Sequence, residues 1–257
     1  AETLHAAKTG AIEICFLGQN VNGYKYTDIN GNIFRLSDLI RETAKIPEIM
    51  RIRFTSSYPT EMTDDLIDMF ATEPKLLPFL NMPIQSGSQS VLTRMNRPYS
   101  LELYTDIIRK LKLARPDIQI SSDFIVGFPG ESDQDFEQTM RIAEQIKYIN
   151  SYSFKYSPRP HTAAALMPDQ IPENTKAARL ARLDTRLNEI QRDFNESCID
   201  KTLSCLLEGS DKTGRHLVYR TPFMQQCIVE FRDNAPELAD IKITAANKAS
   251  LRGKFID

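Results

Sequence analysis

Short apolar runs alternate with amphipathic stretches along the first three-quarters of the chain. Residues 11–17, 51–55, 79–84, 119–126 and 152–156 are apolar runs, each bounded by Gly, Pro, Asn or Ser, and they predict strands. Between them, residues 36–45, 64–71, 101–114 and 133–146 predict helices. Within the third, Leu103, Tyr104, Ile107, Ile108 and Leu111 recur at helical spacing and make one buried face. Repeated strand–helix–strand units imply a parallel sheet. Five strands are too few for a complete eight-fold barrel, so both a barrel segment and an open sheet fit the pattern. Residues 172–194 predict one long helix with a stripe of Leu180, Leu183, Leu187, Ile190 and Phe194. Arg179, Arg182 and Arg186 lie along the edge of that stripe, as a face pairing with Asp184 and Glu189 or as a phosphate-facing edge. After Cys198 the pattern turns to short β-like runs separated by turn residues, which suggests a small β-barrel. The predicted units are an α/β part over residues 1–196 and an all-β part over residues 197–257.

Composition narrows the function classes. The 257 residues carry a net charge of −2, which excludes a basic nucleic-acid-coating protein and an acidic disordered tail. No apolar run reaches membrane-spanning length, and the first residues lack a signal pattern, so a cytoplasmic protein with no membrane partner is expected. There is no initiator Met. Residues 201–257 carry 9 Lys+Arg against 7 Asp+Glu, too mild a balance to announce nucleic-acid binding by charge. Cys15, Cys198, Cys205 and Cys227 form no C-x-x-C pair and read as reduced, mostly buried thiols; no metal ligand set is expected. His5, His161 and His216 are scattered and suggest no catalytic constellation, and no catalytic residue is assigned.

Ligands of parallel sheets bind beyond the carboxyl ends of the strands. The five predicted ends read Gly18-Gln19-Asn20, Ser56-Ser57, Pro83 to Ser88, Gly127 to Glu131 and Ser157 to Pro160, all rich in small and polar residues. Alternation puts Phe124, Val126 and Phe128 on one face and Ser121, Asp123, Ile125 and Gly127 on the other. Arg51, Arg53 and Thr55 likewise oppose Ile52 and Phe54. A lumen carrying Arg53, Thr55, Ser121 and Asp123 holds water or a ligand, or else a buried Arg–Asp ion pair. The loop VGFPGES lacks a Lys, and Ser132, Asp133, Asp135 and Glu137 open the helix after it. Carboxylates at that positive helix end repel phosphate and favour a neutral or cationic ligand such as an adenosine or a sulfonium.

The segments ICFLGQNVNGY, IRFTSSYP, MPIQSGSQSVLTRMNRPYS, ISSDFIVGFPGES and FSFKYSPRPHTAAALMPDQIP, in this order, resemble the radical-SAM tRNA methylthiotransferases of the MiaB type. The resemblance implies an α/β partial TIM-like barrel binding S-adenosyl-L-methionine at its strand ends, then an OB-like TRAM domain. It implies methylthiolation of N6-isopentenyl-adenosine next to the anticodon, with the tRNA anticodon stem-loop, a sulfur source and a reductant as partners. Gly18, Gln19 and Asn20 are then expected to receive the methionyl amino group, and Gln85 and Ser86 to lie on the ribose side. Asp123, Gly127 and Glu131 are expected to flank the adenosine, with Arg53 in the lumen. Arg159, Arg215 and Arg220 are the candidate RNA contacts. Two [4Fe–4S] clusters are implied for the full-length enzyme. Their cysteine motifs are absent here, so the chain is expected to be the carboxyl-terminal portion, lacking the first βα unit, exposing a sheet edge and inactive alone. His161 stands where the family usually has Gly, Ala163 where it has Pro, and Asn81 where His is frequent. A threonylcarbamoyl-adenosine methylthiotransferase and a non-catalytic RNA-binding module are the competing readings.

Overall fold

The computed structural model describes residues 2–256. Its α/β part opens with helix α1 (Glu2–Lys8), strand β1 (Glu13–Phe16), the short strands β2 (Lys25–Thr27) and β3 (Ile33–Arg35), and helix α2 (Leu36–Ala44). Then follow β4 (Arg51–Phe54), α3 (Asp64–Thr72), β5 (Phe79–Asn81), α4 (Gln89–Arg94), α5 (Leu101–Ala114), β6 (Gln119–Ser121), β7 (Asp123–Val126), α6 (Asp133–Ile146), β8 (Tyr152–Lys155) and α7 (Glu173–Ser197). All five predicted strand regions are present and run parallel. β1 pairs with β4, β5 with β6, and β7 with β8. Backbone bonds join these pairs into one wall. Leu77 N–H donates to the Ile52 carbonyl at 2.9 Å, and Ile125 N–H donates to the Gln85 carbonyl at 2.8 Å. The predicted strand over residues 119–126 is interrupted at Ser122. There the hydroxyl accepts the Ile84 N–H at 2.9 Å and the backbone N–H donates to Ser151 Oγ at 3.2 Å, so side chains replace ladder bonds.

The helices bury the faces their spacing predicts. Tyr104, Ile107, Ile108 and Leu111 of α5 and Phe136, Ile142 and Ala143 of α6 join Ile52, Phe54, Phe124 and Val126 in one core. Gly87 lets the loop after β5 reach α6: a Cβ there would stand 2.5 Å from the Thr139 Cα. In its place the Gly87 N–H donates to Thr139 Oγ1 at 2.9 Å. Asp135 caps the start of α6 through Ser132 and also accepts from Ser88 and Ser90, binding the same loop a second time. These hydroxyl and amide donors hold its carboxyl down at about 2 although burial pushes the other way.

Three elements escape the hydrophobic pattern. Helices α1 and α4 are short, and the β2–β3 hairpin buries none of its residues, so no face is marked by alternation. The arginine edge of α7 turns toward α6, not toward phosphate. Arg182 pairs with Glu137 at 2.7 Å, and Arg186 with Glu144 at 3.3 Å and Glu189 at 2.8 Å. Asp184, the other expected partner, accepts instead from the Ser153 hydroxyl on β8.

Past α7, β9 (Thr202–Ser210), β10 (His216–Arg220), β11 (Gln226–Glu230), β12 (Leu238–Ala246) and β13 (Ser250–Phe255) close a barrel in the order β10-β11-β13-β12-β9. β11 and β13 run parallel and the other pairs antiparallel, which is the five-stranded OB-like arrangement. Cys205, Tyr219, Cys227, Ile241, Ile243 and Leu251 fill its interior. The two parts are bolted together. Arg51, only 4% exposed, donates to the carbonyls of Arg220 at 3.0 Å and Thr221 at 3.2 Å. Buried Asn195 of α7 donates to the Asn247 carbonyl at 2.7 Å and accepts from Gln225 at 2.6 Å.

Candidate functional site

Two clefts open on the inner face of the parallel wall and meet at Phe154. The upper one, about 510 Å3, lies at the carboxyl ends of β7 and β8 and is lined by Ile125, Phe128, Phe154, Tyr156, Ser157 and Arg159, with Met95 and Arg97 opposite. The lower one, about 730 Å3, lies between the wall and the β-barrel. Phe79, Asn81, Ser121, Asp123, Tyr152 and Phe154 form its α/β side, and Arg220, Met224 and Lys248 its barrel side. Of the four residues expected in a polar lumen, Ser121 and Asp123 line the lower cleft, and Arg53 and Thr55 line neither. Arg53 bonds Glu13 on neighbouring β1 at 2.8 Å and does not pair with Asp123. Among the described residues no cation is bonded to Asp123, and burial pushes its carboxyl up.

Two of the left-handed residues line the lower cleft and two others stand at strand ends. Ser56 (φ 59°) and Gln85 (φ 68°) stand at strand ends, and Asn150 (φ 48°) and Met224 (φ 68°) in the lower cleft. Non-glycine residues in this region cost stability and persist where surroundings over-determine them. In the loop after β7, glycine is required twice. Gly127 has φ +72° and a Cβ would meet Lys176 Cγ at 2.4 Å; Gly130 has φ +74° and a Cβ would overlap Arg94 Nη1 at 1.3 Å.

The predicted residues divide. Gly18, Gln19 and Asn20 form an exposed loop at the rim, and the Val21 N–H ties it to the Ser56 carbonyl at 3.3 Å. Gly127 begins the loop beside the upper cleft, Asp123 lines the lower one, and Gln85 is held in register with β7. Ser86 and Glu131 are corrections. Ser86 is fully buried, sharing its hydroxyl with Thr139 and the Ser88 N–H. Glu131 is buried under α7, where its carboxylate accepts from the Gly127 N–H at 2.7 Å and from Arg179 at 2.7 Å; it fastens the loop and lines neither cleft. Arg53 is already engaged by Glu13. Of the cationic candidates, Arg159 lines the upper cleft and Arg220 the lower, where Glu208 neutralises it at 2.5 Å. Arg215 sits on the exposed β9–β10 turn and lines neither. Sequence reasoning missed Tyr152, Phe154 and Tyr156. The period-two aromatics of YSFKY mark one face of an edge strand, and that signal was available.

His161, in the loop that closes over the upper cleft, has φ 66°. A left-handed residue costs roughly 1–2 kcal/mol, part of which glycine repays in unfolded-chain entropy. His161→Gly is therefore expected to raise stability by about 0.5–1 kcal/mol, read as a higher melting temperature; a lower one would show that the imidazole contributes packing that outweighs the strain.

The Radical SAM superfamily model matches residues 1–143. Two curated relatives are each named tRNA-2-methylthio-N(6)-dimethylallyladenosine synthase. The one from Rickettsia canadensis is 48% identical over 256 residues, covering 99% of this chain and 57% of that protein. The one from Rickettsia conorii is 46% identical over 257 residues, covering 99% and 58%. The chain thus spans less than two-thirds of the length of these relatives. Among solved structures, coproporphyrinogen III oxidase from Escherichia coli, titled a radical SAM enzyme, superposes with a TM-score of 0.56 at 20% identity, covering 76% of this chain and 45% of that one. That likeness supports the fold of the parallel wall. With more than half of its length matched, the chain belongs to the radical SAM superfamily.

Proposed function

We propose that this chain is the barrel and RNA-binding portion of a tRNA methylthiotransferase acting on N6-isopentenyl-adenosine next to the anticodon, in the cytoplasm, with a TRAM domain as its β-barrel. The observation that carries the reading is the 48% identity, sustained over 99% of the chain, to a relative named for that reaction. No helix among the described residues is long and apolar enough to cross a membrane, in keeping with a tRNA partner.

The residues fit one implied cofactor and not the other. S-adenosyl-L-methionine fits the upper cleft. Ile125, Phe128 and Phe154 offer an apolar wall for a purine; Gly18 and Asn20 line a separate cleft of about 290 Å3 at the end of β1. Once bound, S-adenosyl-L-methionine supplies the sulfonium whose cleavage the chemistry requires. Here the chain's own task is to hold and orient it: Gly127 and Gly130 set the loop, and the Glu131–Arg179 pair locks that loop against α7. A [4Fe–4S] cluster does not fit. It needs several converging thiolates; Cys15 is alone on β1, Cys198, Cys205 and Cys227 are buried at the β-barrel, and no metal-binding group of His, Cys, Asp or Glu exists among the described residues. Cluster chemistry, the sulfur source and the reductant belong to the whole enzyme.

The test is calorimetry with two probes. S-adenosyl-L-methionine titrated into the chain is expected to bind saturably, and an anticodon stem-loop to bind with an affinity that falls as salt rises. A chain that binds neither overturns the proposal.

A further inference from the structure

The interior of the β-barrel holds two thiols that the proposed function leaves unused. Cys205 on β9 and Cys227 on β11 are fully buried, in one cluster with Tyr219, Ile241 and Leu251. Both are free thiols. β9 and β11 are not neighbours in the barrel, because β10 lies between them. The register nonetheless turns both side chains into the same interior. Tyr219 of β10 pairs with Cys227 on one side and with Leu207 on the other, and Cys205 stands two residues before Leu207 on the same face of β9. Gly253 on β13 keeps space beside them: a Cβ there would stand 3.3 Å from the Cys227 sulfur. The Cys205 S–H has two acceptors, the Leu203 carbonyl at 3.4 Å and the Cys227 sulfur, so the two thiols are in hydrogen-bond contact.

Two features separate this pair from the other cysteines. Burial pushes the Cys15 and Cys198 thiols up, the usual fate of a buried thiol. Cys227 goes the other way, because Cys205 donates to its sulfur, and this outweighs burial. Arg51, which reaches the carbonyls of Arg220 and Thr221 at the end of β10, also lies close enough to attract a thiolate at Cys205. A thiolate supported by a second thiol and a nearby cation is the arrangement that peroxides oxidise.

We infer that Cys205 and Cys227 are a redox pair that closes into a disulfide across the barrel interior when the protein meets hydrogen peroxide. The Cys227 thiolate attacks one peroxide oxygen, the O–O bond breaks and hydroxide leaves. Its sulfur, oxidised by two electrons, is then a sulfenic acid. The Cys205 sulfur attacks that sulfur, an S–S bond forms, and the sulfenic oxygen leaves as water. The Cys205 proton and the proton first lost by Cys227 go to the two departing oxygens. Two thiols and one peroxide thus give one disulfide and two waters. Peroxide is close to water in size and enters with local openings of the barrel. The new bond ties β9 to β11 around β10, whose end carries the carbonyls that hold Arg51. Oxidation therefore locks the barrel beside its junction with the α/β part. None of this depends on the tRNA reading.

The experiment treats the 257-residue chain with hydrogen peroxide, blocks the remaining thiols under denaturing conditions, and maps linked peptides by mass spectrometry. A Cys205–Cys227 link is expected as the main product of the folded protein, reversed by dithiothreitol. The same oxidation in guanidinium chloride should scatter links among all four cysteines. The oxidised chain is expected to melt about 10 °C above the reduced one, because the link constrains the unfolded barrel. Cys205→Ser should stop at a sulfenic acid on Cys227 that dimedone captures; Cys205→Ala is the second variant if the serine does not fold. Links distributed alike in the folded and denatured protein overturn the inference. So does a Cys227 that reacts no faster than Cys198, or a linked chain that melts no higher than the reduced one.

Discussion

Replacing Arg51 by Met is expected to destabilise the protein by about 3–5 kcal/mol, the loss of two buried hydrogen bonds from a charged donor at about 1.5–3 kcal/mol each. Arg51 is the most consequential contact between the two parts. Its Nε lies 2.9 Å from Glu13 Oε2, close enough for charge attraction though not aligned as a hydrogen bond. Its other nitrogens reach the carbonyls of Arg220 and Thr221 across the junction. Burial lowers its pKa and Glu13 raises it, and Met would leave Glu13 to Arg53 alone. Losing one of the two cations on Glu13 affects the α/β part; losing two carbonyl partners affects the junction. Denaturant unfolding should therefore change in shape as well as midpoint, with the β-barrel and the α/β part separating into two transitions. Arg51→Lys should recover little, because an ammonium cannot span both carbonyls and Glu13 in one plane. A single transition with an unchanged midpoint in Arg51→Met would refute the role given to this side chain.

The same residue shows how far the sequence could be read. Alternation in RIRFTS set Arg51 and Arg53 on one face opposite Ile52 and Phe54; both arginines meet Glu13 on β1, while Ile52 and Phe54 lie in the core. Period and turn signals also placed the five parallel strands, and α5, α6 and α7, each of which buries one regular face. What they could not give was partners. Arg53 meets Glu13 and not Asp123 because β1 lies directly beside β4, an adjacency that spacing does not encode. Arg179 meets Glu131 because α7 packs on the loop before α6. Polar residues at the strand ends looked alike in sequence, yet Gln19 is exposed at the rim while Ser86 and Glu131 are buried behind it. The lower cleft was illegible for a related reason: it needs the β-barrel to supply its second wall. The family resemblance named a cofactor and a substrate, but the division of the lumen into two clefts at Phe154 comes from the packing.

Glu131 carries the second large effect and a distinctive pH signature. Glu131→Ala leaves the buried Arg179 with Asp133, a largely exposed carboxylate at 2.7 Å, as its one carboxylate among the described residues, beside the residue-131 carbonyl at 3.0 Å, and should cost about 3–5 kcal/mol. Arg179→Ala should cost about as much, and the double variant much less than the sum, since the two act as a unit. Burial raises the Glu131 carboxyl above its usual range, with the Gly127 N–H and Arg179 opposing that shift and Asp135 adding to it. A raised folded value means the folded state holds the proton more tightly than the unfolded chain. Stability from this group is then complete below the unfolded value of 4.5 and is lost as pH climbs through the folded one. Asp135 behaves oppositely: its contribution is present above 3.8 and disappears as pH falls toward about 2. Asp123, raised by burial, shares the sign of Glu131. Melting temperatures of the wild type, Glu131→Gln and Asp123→Asn, followed from pH 4 to 8, separate the two. The decline with rising pH should flatten in Glu131→Gln and persist in part in Asp123→Asn. A Glu131→Gln profile parallel to the wild type at every pH would mean that this carboxyl titrates as it does in the unfolded chain, and the burial argument for the loop would fall with it.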